Sequence, residues 1–136
     1  MQSHRCSVFL RRVLAADAVT CFGTGLLMMF GSDGLAELLG LPATLLRYAG
    51  VSLIPLAAFL AYLASREALS QTMVWAVIIL NVLWTVGSFL LVLTGWATPT
   101  GVGYAFVIAQ AMGVAVFAGM EYVGLKQSLT AKAVPA

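Results

Sequence analysis

The sequence predicts an all-α membrane protein with four transmembrane helices in an up-down-up-down bundle and a short interfacial helix between the first two. Of its 136 residues, 62% are hydrophobic and only 9% are charged, whereas about 25% of residues are charged in a typical soluble domain. The mean hydropathy is +1.01. So apolar a chain has too little polar surface to cover a water-soluble globule, and its length allows for one membrane domain.

The third predicted span, 73–93, carries no charge and is the clearest of the four. At ~1.5 Å per residue it reaches about 31 Å, the thickness of the hydrocarbon core of a bilayer. Its polar residues Asn81, Thr85 and Ser88 share one side of the helix. Because an amide that faces lipid is costly, we expect this side to face other helices.

Apolar runs predict the other spans at about 13–30, 45–64 and 101–125. We expect the first to be retained as a span, because Asp17 interrupts the apolar run too early for a signal peptide. The connection before the second span predicts an interfacial helix at about 33–40, capped by Ser32 or Asp33 and ended by Gly40.

Small residues recur along the first and fourth spans. Gly23 and Gly25 would permit close approach of another helix. In the fourth span two ridges with four-residue spacing predict tight packing: Ala105, Ala109 and Gly113, and Ala111, Ala115 and Gly119.

The chain also shows a possible internal repeat with an offset of 64, which places Asp17 on Asn81, Gly23 on Gly87 and Thr24 on Ser88. True duplication and chance matching in a biased composition both remain open. A true repeat would be parallel.

The basic residues are distributed unevenly. Only Arg47 falls on one side of a four-span topology, and the other six fall on the opposite side: Arg5, Arg11, Arg12, Arg66, Lys126 and Lys132. The positive-inside rule then predicts that both termini are cytoplasmic.

Asp17 and Glu121 form the candidate intramembrane ionisable site. Each lies about five residues, or ~7 Å, inside the predicted cytoplasmic boundary. Ionisable groups within a bilayer often mark proton or cation sites, and two adjacent carboxylates disfavour each other's ionisation. The alternative is structural pairing with Arg11, Arg12, Lys126 or Asn81, or contact with lipid headgroups.

Asn81, Gln110, Thr85 and Ser88 form a candidate polar core. We expect Asn81 and Gln110 to bond to each other near mid-depth, with contact to a polar substrate or quinone as the alternative. On the outer side we expect an ion pair between Arg47 and Glu37, or Asp33, that holds the interfacial helix, with an anion or lipid-headgroup site as the rival. Cys21 is expected to be a packing residue.

Several function classes are disfavoured. A single histidine, His4 in the tail, argues against a haem of the b type. The residues show no metal-ligand cluster, phosphate-binding glycine loop or nucleophile–histidine arrangement. We therefore expect no cofactor, no metal, no nucleic acid and no independent enzymatic activity.

Several motifs carry a resemblance: LAADAV at 14–19, LAELLGLPATLLRYAG at 35–50, LNVLW at 80–84, and FVIAQA and EYVGL in the fourth span. The chain resembles small four-span integral membrane proteins of proteobacteria with no assigned activity. The resemblance implies the architecture and a bacterial inner membrane, and it carries no functional residues.

Together these observations predict a non-enzymatic accessory or interaction subunit of the inner membrane. It would contact the lipid bilayer, and itself or another membrane protein through its small-residue helix faces. The alternative is a small proton- or cation-coupled carrier that uses Asp17 and Glu121, for which four short spans would need a subunit interface.

Overall fold

The computed structural model describes the backbone of residues 3–5, 8–66, 68–95 and 97–133, and the side chains of 8–66, 70–95 and 97–128. These residues form five helices and two short strands. In chain order the elements are β1 (Ser3–Arg5), α1 (Val8–Phe30), α2 (Ser32–Leu39), α3 (Ala43–Ala64), β2 (Ala68–Ser70), α4 (Gln71–Leu93) and α5 (Gly101–Ala133). The strands pair antiparallel, with His4 opposite Leu69, and the sequence pattern did not predict them.

Four helices are long and apolar enough to cross a membrane: α1, α3, α4 and the Gly101–Ser128 part of α5. This confirms the four predicted spans. The helices extend beyond the apolar runs, since α1 begins at Val8 rather than near 13 and α5 continues to Ala133 rather than ending near 125. A helix can continue past the hydrocarbon core, because its backbone hydrogen bonds are internal and do not depend on apolar side chains.

The interfacial helix α2 ends as the sequence predicts. Gly40 has a φ of 70°, the left-handed conformation that favours glycine, and its N–H donates to the Ala36 carbonyl at 2.9 Å. The predicted side-chain cap is wrong. Gly31 occupies the cap position with no side-chain hydrogen bond, and Ser32 lies inside the helix. Its Oγ instead accepts a hydrogen bond from Arg47 at 3.2 Å.

The bundle consists of two antiparallel hairpins. Within the first hairpin, Arg11 on α1 bonds to Ala64 near the end of α3, and Gly25 lies against Gly50 near its start. Within the second, Thr85 on α4 bonds to the Ala111 carbonyl on α5. The two hairpins meet mainly where α1 packs against α5, and α3 and α4 make few direct contacts. A gap therefore remains between α3 and α4.

Glycines allow the closest helix approaches. A methyl group on Gly50 would lie 2.7 Å from the Met29 backbone nitrogen and 2.8 Å from the Gly25 carbonyl oxygen. On α5, a methyl group on Gly124 would lie 3.0 Å from the Leu10 Cα. Gly25 therefore serves close packing as expected, whereas nothing lies within 4 Å of a Cβ built on Gly23.

The other helices of the chain leave most members of the two α5 ridges uncovered. Within the first ridge, Ala105, Ala109 and Gly113 are all exposed, and a Cβ on Gly113 would have no neighbour within 4 Å. In the second ridge Ala111 is fully buried, but Ala115 and Gly119 are exposed. Residue spacing shows that such residues share a face of the helix, but it does not show which face packs.

Candidate intramembrane carboxyl site

Three buried polar side chains meet in the bundle interior, and we call them the carboxyl cluster: Asp17, Asn81 and Glu121. Their exposures are 2%, 2% and 0%. The Asn81 amide Nδ2 donates to Asp17 Oδ2 at 3.0 Å and to Glu121 Oε1 at 2.7 Å. One amide nitrogen therefore joins carboxyls from α1 and α5 through α4, and the two accepting oxygens lie within about 6 Å of each other, where like charges interact strongly.

The neighbouring residues explain how the cluster is positioned. Gly124, one turn after Glu121, admits Leu10 of α1 and so brings α1 and α5 together at this level. Cys21, one turn after Asp17, points its thiol toward Asp17 Oδ1 at 3.5 Å. Thr85, one turn after Asn81, donates to the carbonyls of Asn81 at 3.0 Å and Ala111 at 3.3 Å, which ties α4 to α5.

The cluster has too few donors for its acceptors. Both amide hydrogens of Asn81 are used by the carboxyls, and Glu121 Oε2 is fully buried without a hydrogen-bond partner among the described residues. A proton held between the two carboxyls would supply the missing donor and would remove one of two buried negative charges.

Basic side chains of the described residues are not the partners of the two carboxyls in the cluster. Arg11 Nε donates to the Ala64 carbonyl at 3.3 Å. Among the described residues, neither Asp17 nor Glu121 forms an ion pair. Of the partners that the sequence allowed, Asn81 is the one that bonds to both carboxyls.

Gln110 belongs to a second, separate network. Its Oε1 accepts from Trp84 Nε1 at 2.7 Å, and its Nε2 donates to Ser88 Oγ at 2.9 Å and to the Val107 carbonyl at 2.9 Å. The predicted bond between Asn81 and Gln110 is therefore wrong, because each amide has other partners. The expectation that the Asn81, Thr85 and Ser88 side of α4 faces other helices is met, since all three bond to residues of α1 or α5.

A cavity of about 410 Å³ reaches the carboxyl cluster, and we call it the Asp17 cavity. Asp17, Cys21 and Asn81 border it together, and its other walls are mainly aromatic and aliphatic. A second cavity of about 350 Å³ lies on the side of α3 and α4. Both cavities are lined in part by the same four residues: Thr24, Trp84, Phe106 and Gln110.

The outer-side ion pair forms with Asp33, one of the two partners that the sequence allowed. Arg47 Nη2 lies 3.6 Å from Asp33 Oδ1, and Arg47 also donates to Ser32, so α3 is tied to the first turn of α2. Glu37, the other expected partner, lies one turn further along α2, and no ion pair of Arg47 with it is found in the described part of the chain. Both charged side chains are at least half exposed, so the pair contributes little stability.

Metal ligation finds no support in the described residues, where no three His, Cys, Asp or Glu side chains come together. Sequence reasoning identified Asp17 and Glu121 and named Asn81 among their possible partners, but it did not predict that Asn81 bonds to both carboxyls. Asp17 and Asn81 are also equivalent positions at the repeat offset of 64, and they bond to each other.

No protein family, curated protein or solved structure matches the chain.

Proposed function

We propose that the protein is a non-enzymatic accessory or interaction subunit of a bacterial inner membrane. The observation that carries this proposal is the face of α5 that its own chain leaves uncovered. Ala115 and Gly119 are exposed in a shallow apolar groove beside Ile78, Val82 and Val86 of α4. Small residues on a lipid-facing surface let another helix approach closely, which is how transmembrane helices associate. The resemblance to small four-span proteobacterial proteins supports the choice of membrane.

The paired interior supports the same proposal. Asn81 bonds to both intramembrane carboxyls, and Gln110 bonds to Trp84 and Ser88, so polar groups of three helices are used to hold the bundle together. Interhelical hydrogen bonds of this kind contribute about 0.6–2 kcal/mol each. A rigid scaffold of this kind suits a protein that works through its outer faces.

Filling the groove tests this function. Gly119→Leu is expected to weaken association with the partner, or with a second copy, at least about tenfold, equivalent to ~1.4 kcal/mol. The measurement is recovery of the complex from membranes extracted in native lipid nanodiscs, with oligomeric state counted by single-molecule photobleaching.

The matched control is Gly23→Leu on α1, another exposed helical glycine with open space at its Cβ. It should leave association unchanged. A wild-type protein that is monomeric and without partners in such nanodiscs, or a Gly119→Leu protein that associates normally, would contradict the proposal.

The proposal places both termini in the cytoplasm. The support is the charge distribution, since six of the seven basic residues fall on the side of the predicted topology that holds both termini. Reporter fusions after Ala97 and after Ala136 should report opposite sides, with the C-terminal fusion cytoplasmic. A periplasmic signal from the C-terminal fusion would overturn this orientation.

A second candidate function is a small proton- or cation-coupled carrier. The observation that favours it is that Asp17 and Asn81 border a cavity, while the carboxyls find no cation among the described residues. A carboxyl that is open to a cavity can exchange a proton for a cation, whereas one fixed in an ion pair cannot.

The two candidate functions predict different effects of the Asp17→Asn substitution. An amide keeps much of the hydrogen-bonding shape but cannot titrate. If Asp17 is structural, the variant should fold and associate as the wild type does. A carrier should exchange internal protons for external sodium or a lipophilic amine in acid-loaded proteoliposomes, and Asp17→Asn should abolish this exchange in a folded protein.

A further inference from the structure

The Asp17 cavity combines an acidic end with an apolar body. Asp17 and Asn81 meet at the acidic end, and the walls include Trp84, Phe106 and Phe117. Its volume of about 410 Å³ falls within the ~300–1,000 Å³ typical of small-molecule sites. The cavity therefore has the size and the mixed character of a ligand site.

The lining of the Asp17 cavity can carry negative charge but not positive charge. None of the residues that line the cavity is basic, and the Asp17 carboxyl receives hydrogen bonds only from Asn81 and the Cys21 thiol among the described residues. The lining thus lacks positive charge, and an alkylammonium group would supply a cation whose N–H groups can donate to the Asp17 carboxyl.

We propose that the Asp17 cavity binds a lipophilic organic amine in its protonated form, with the ammonium group on Asp17 and the apolar body against the aromatic walls. Aromatic faces attract cations and also bury hydrocarbon, so the same walls serve both parts of such a ligand. Because the ligand is apolar apart from its ammonium group, it reaches the cavity from the bilayer.

Small residues keep one side of the cavity open. Ala109 and Gly113 of α5 line it and are exposed, and a Cβ on Gly113 would meet no atom within 4 Å. This part of the ridge of Ala105, Ala109 and Gly113, which the other helices leave uncovered, would thus keep the cavity open to a ligand.

Binding releases one proton. In this proposal the two carboxyls hold one proton between them before binding and carry one negative charge together. The incoming ammonium brings one positive charge, the shared proton leaves to water, and the site keeps a net charge of minus one. The groups that face the pair are the Cys21 thiol on α1 and the Asn81 amide on α4. The nearest cavity residues of α3, Leu53 and Leu56, do not titrate.

The test compares 4-phenylbutylamine with 4-phenyl-1-butanol, which has the same skeleton without the charge. Binding to the purified full-length protein is measured by titration calorimetry in detergent, in two buffers that differ in ionisation enthalpy, with empty micelles as the blank. We expect the amine to bind at least about tenfold more tightly than the alcohol, with release of about one proton for each amine bound.

Two variants locate the site. Asp17→Asn should abolish the preference for the amine and the proton release while leaving binding of the alcohol unchanged. The matched control is Asp33→Asn, which removes the same charge from an exposed carboxyl of α2 outside the cavity and should bind as the wild type does. Gly113→Leu should weaken binding of both ligands because its side chain narrows the opening.

Equal affinity for amine and alcohol in the wild type, or an unchanged amine preference in Asp17→Asn, overturns the inference. The proton release rests on the second candidate function, but binding does not. Binding without exchange in proteoliposomes upholds the site and refutes the carrier, whereas sodium–proton exchange without amine binding refutes the site and upholds the carrier.

Discussion

Replacing Asn81 with leucine is expected to lower the free energy of unfolding by about 2–4 kcal/mol, the largest loss among single polar substitutions in the bundle interior. Leucine has nearly the shape of asparagine, so the change removes two donors with little change in volume. Two buried carboxyls then lose the amide that Asp17 and Glu121 share. The measurement is reversible unfolding in mixed micelles, followed by circular dichroism.

The comparison variant is Gln110→Leu, which removes a half-buried amide whose partners are neutral. It should cost only about 1 kcal/mol. Replacing all three members of the carboxyl cluster with leucine should recover most of the stability lost in Asn81→Leu, because no buried acceptor is then left without a donor. Equal losses for Asn81→Leu and Gln110→Leu would mean that the carboxyls do not depend on Asn81.

Gly103→Ala is expected to destabilise the protein by about 3 kcal/mol, at the upper end of overpacking costs. A methyl group at this position would overlap the Leu39 carbonyl oxygen at the end of α2. That oxygen cannot move away cheaply, because it accepts the Thr100 N–H at 2.9 Å while Thr100 Oγ1 donates to the Leu38 carbonyl at 2.8 Å. We expect α2 to separate from α5, with a lower melting temperature in detergent.

The matched control is Gly113→Ala on the same helix, where a Cβ has open space. Alanine is the better helix former by about 1 kcal/mol, so this variant should be neutral or slightly more stable than the wild type. If Gly103→Ala melted at the wild-type temperature, the close contact between α2 and α5 would not exist in the membrane protein.

The sequence predicted the secondary structure well because membrane spans leave a strong local signal. Four long apolar runs correspond to the four spanning helices, and Gly40 ends α2 as expected. Helix ends were less predictable, because α1 and α5 continue into segments whose composition is no longer apolar. Local composition thus indicated the existence of each helix better than its bounds.

The sequence predicted the two acidic residues of the candidate site but not the hydrogen bonds that they form. Depth along each helix placed Asp17 and Glu121 at one level, and the polar side of α4 was expected to face inward. Which partner each amide bonds to depends on how the neighbouring helices are rotated and how far apart they lie. The positions of residues along the chain do not encode either quantity. For this reason the sequence left Gln110 and the carboxyls as alternative partners of Asn81, and the structure shows that Asn81 bonds to the two carboxyls.

The same limit explains the errors at the helix surfaces. Gly113 and Gly103 lie on one helix, yet one faces open space and the other contacts the Leu39 backbone. Arg47 had two acidic residues in reach on α2, and the structure pairs it with the one in the first turn, Asp33.

The central claim is that Asn81 physically joins the carboxyls of α1 and α5. A double-mutant cycle between Asn81→Leu and Glu121→Leu, read as unfolding free energies in mixed micelles, tests it most directly. If the residues bond, the double variant should be more stable than the sum of the single losses implies, by at least about 1 kcal/mol. Losses that add to within about 0.5 kcal/mol would show that the two side chains do not interact, and would contradict the carboxyl cluster.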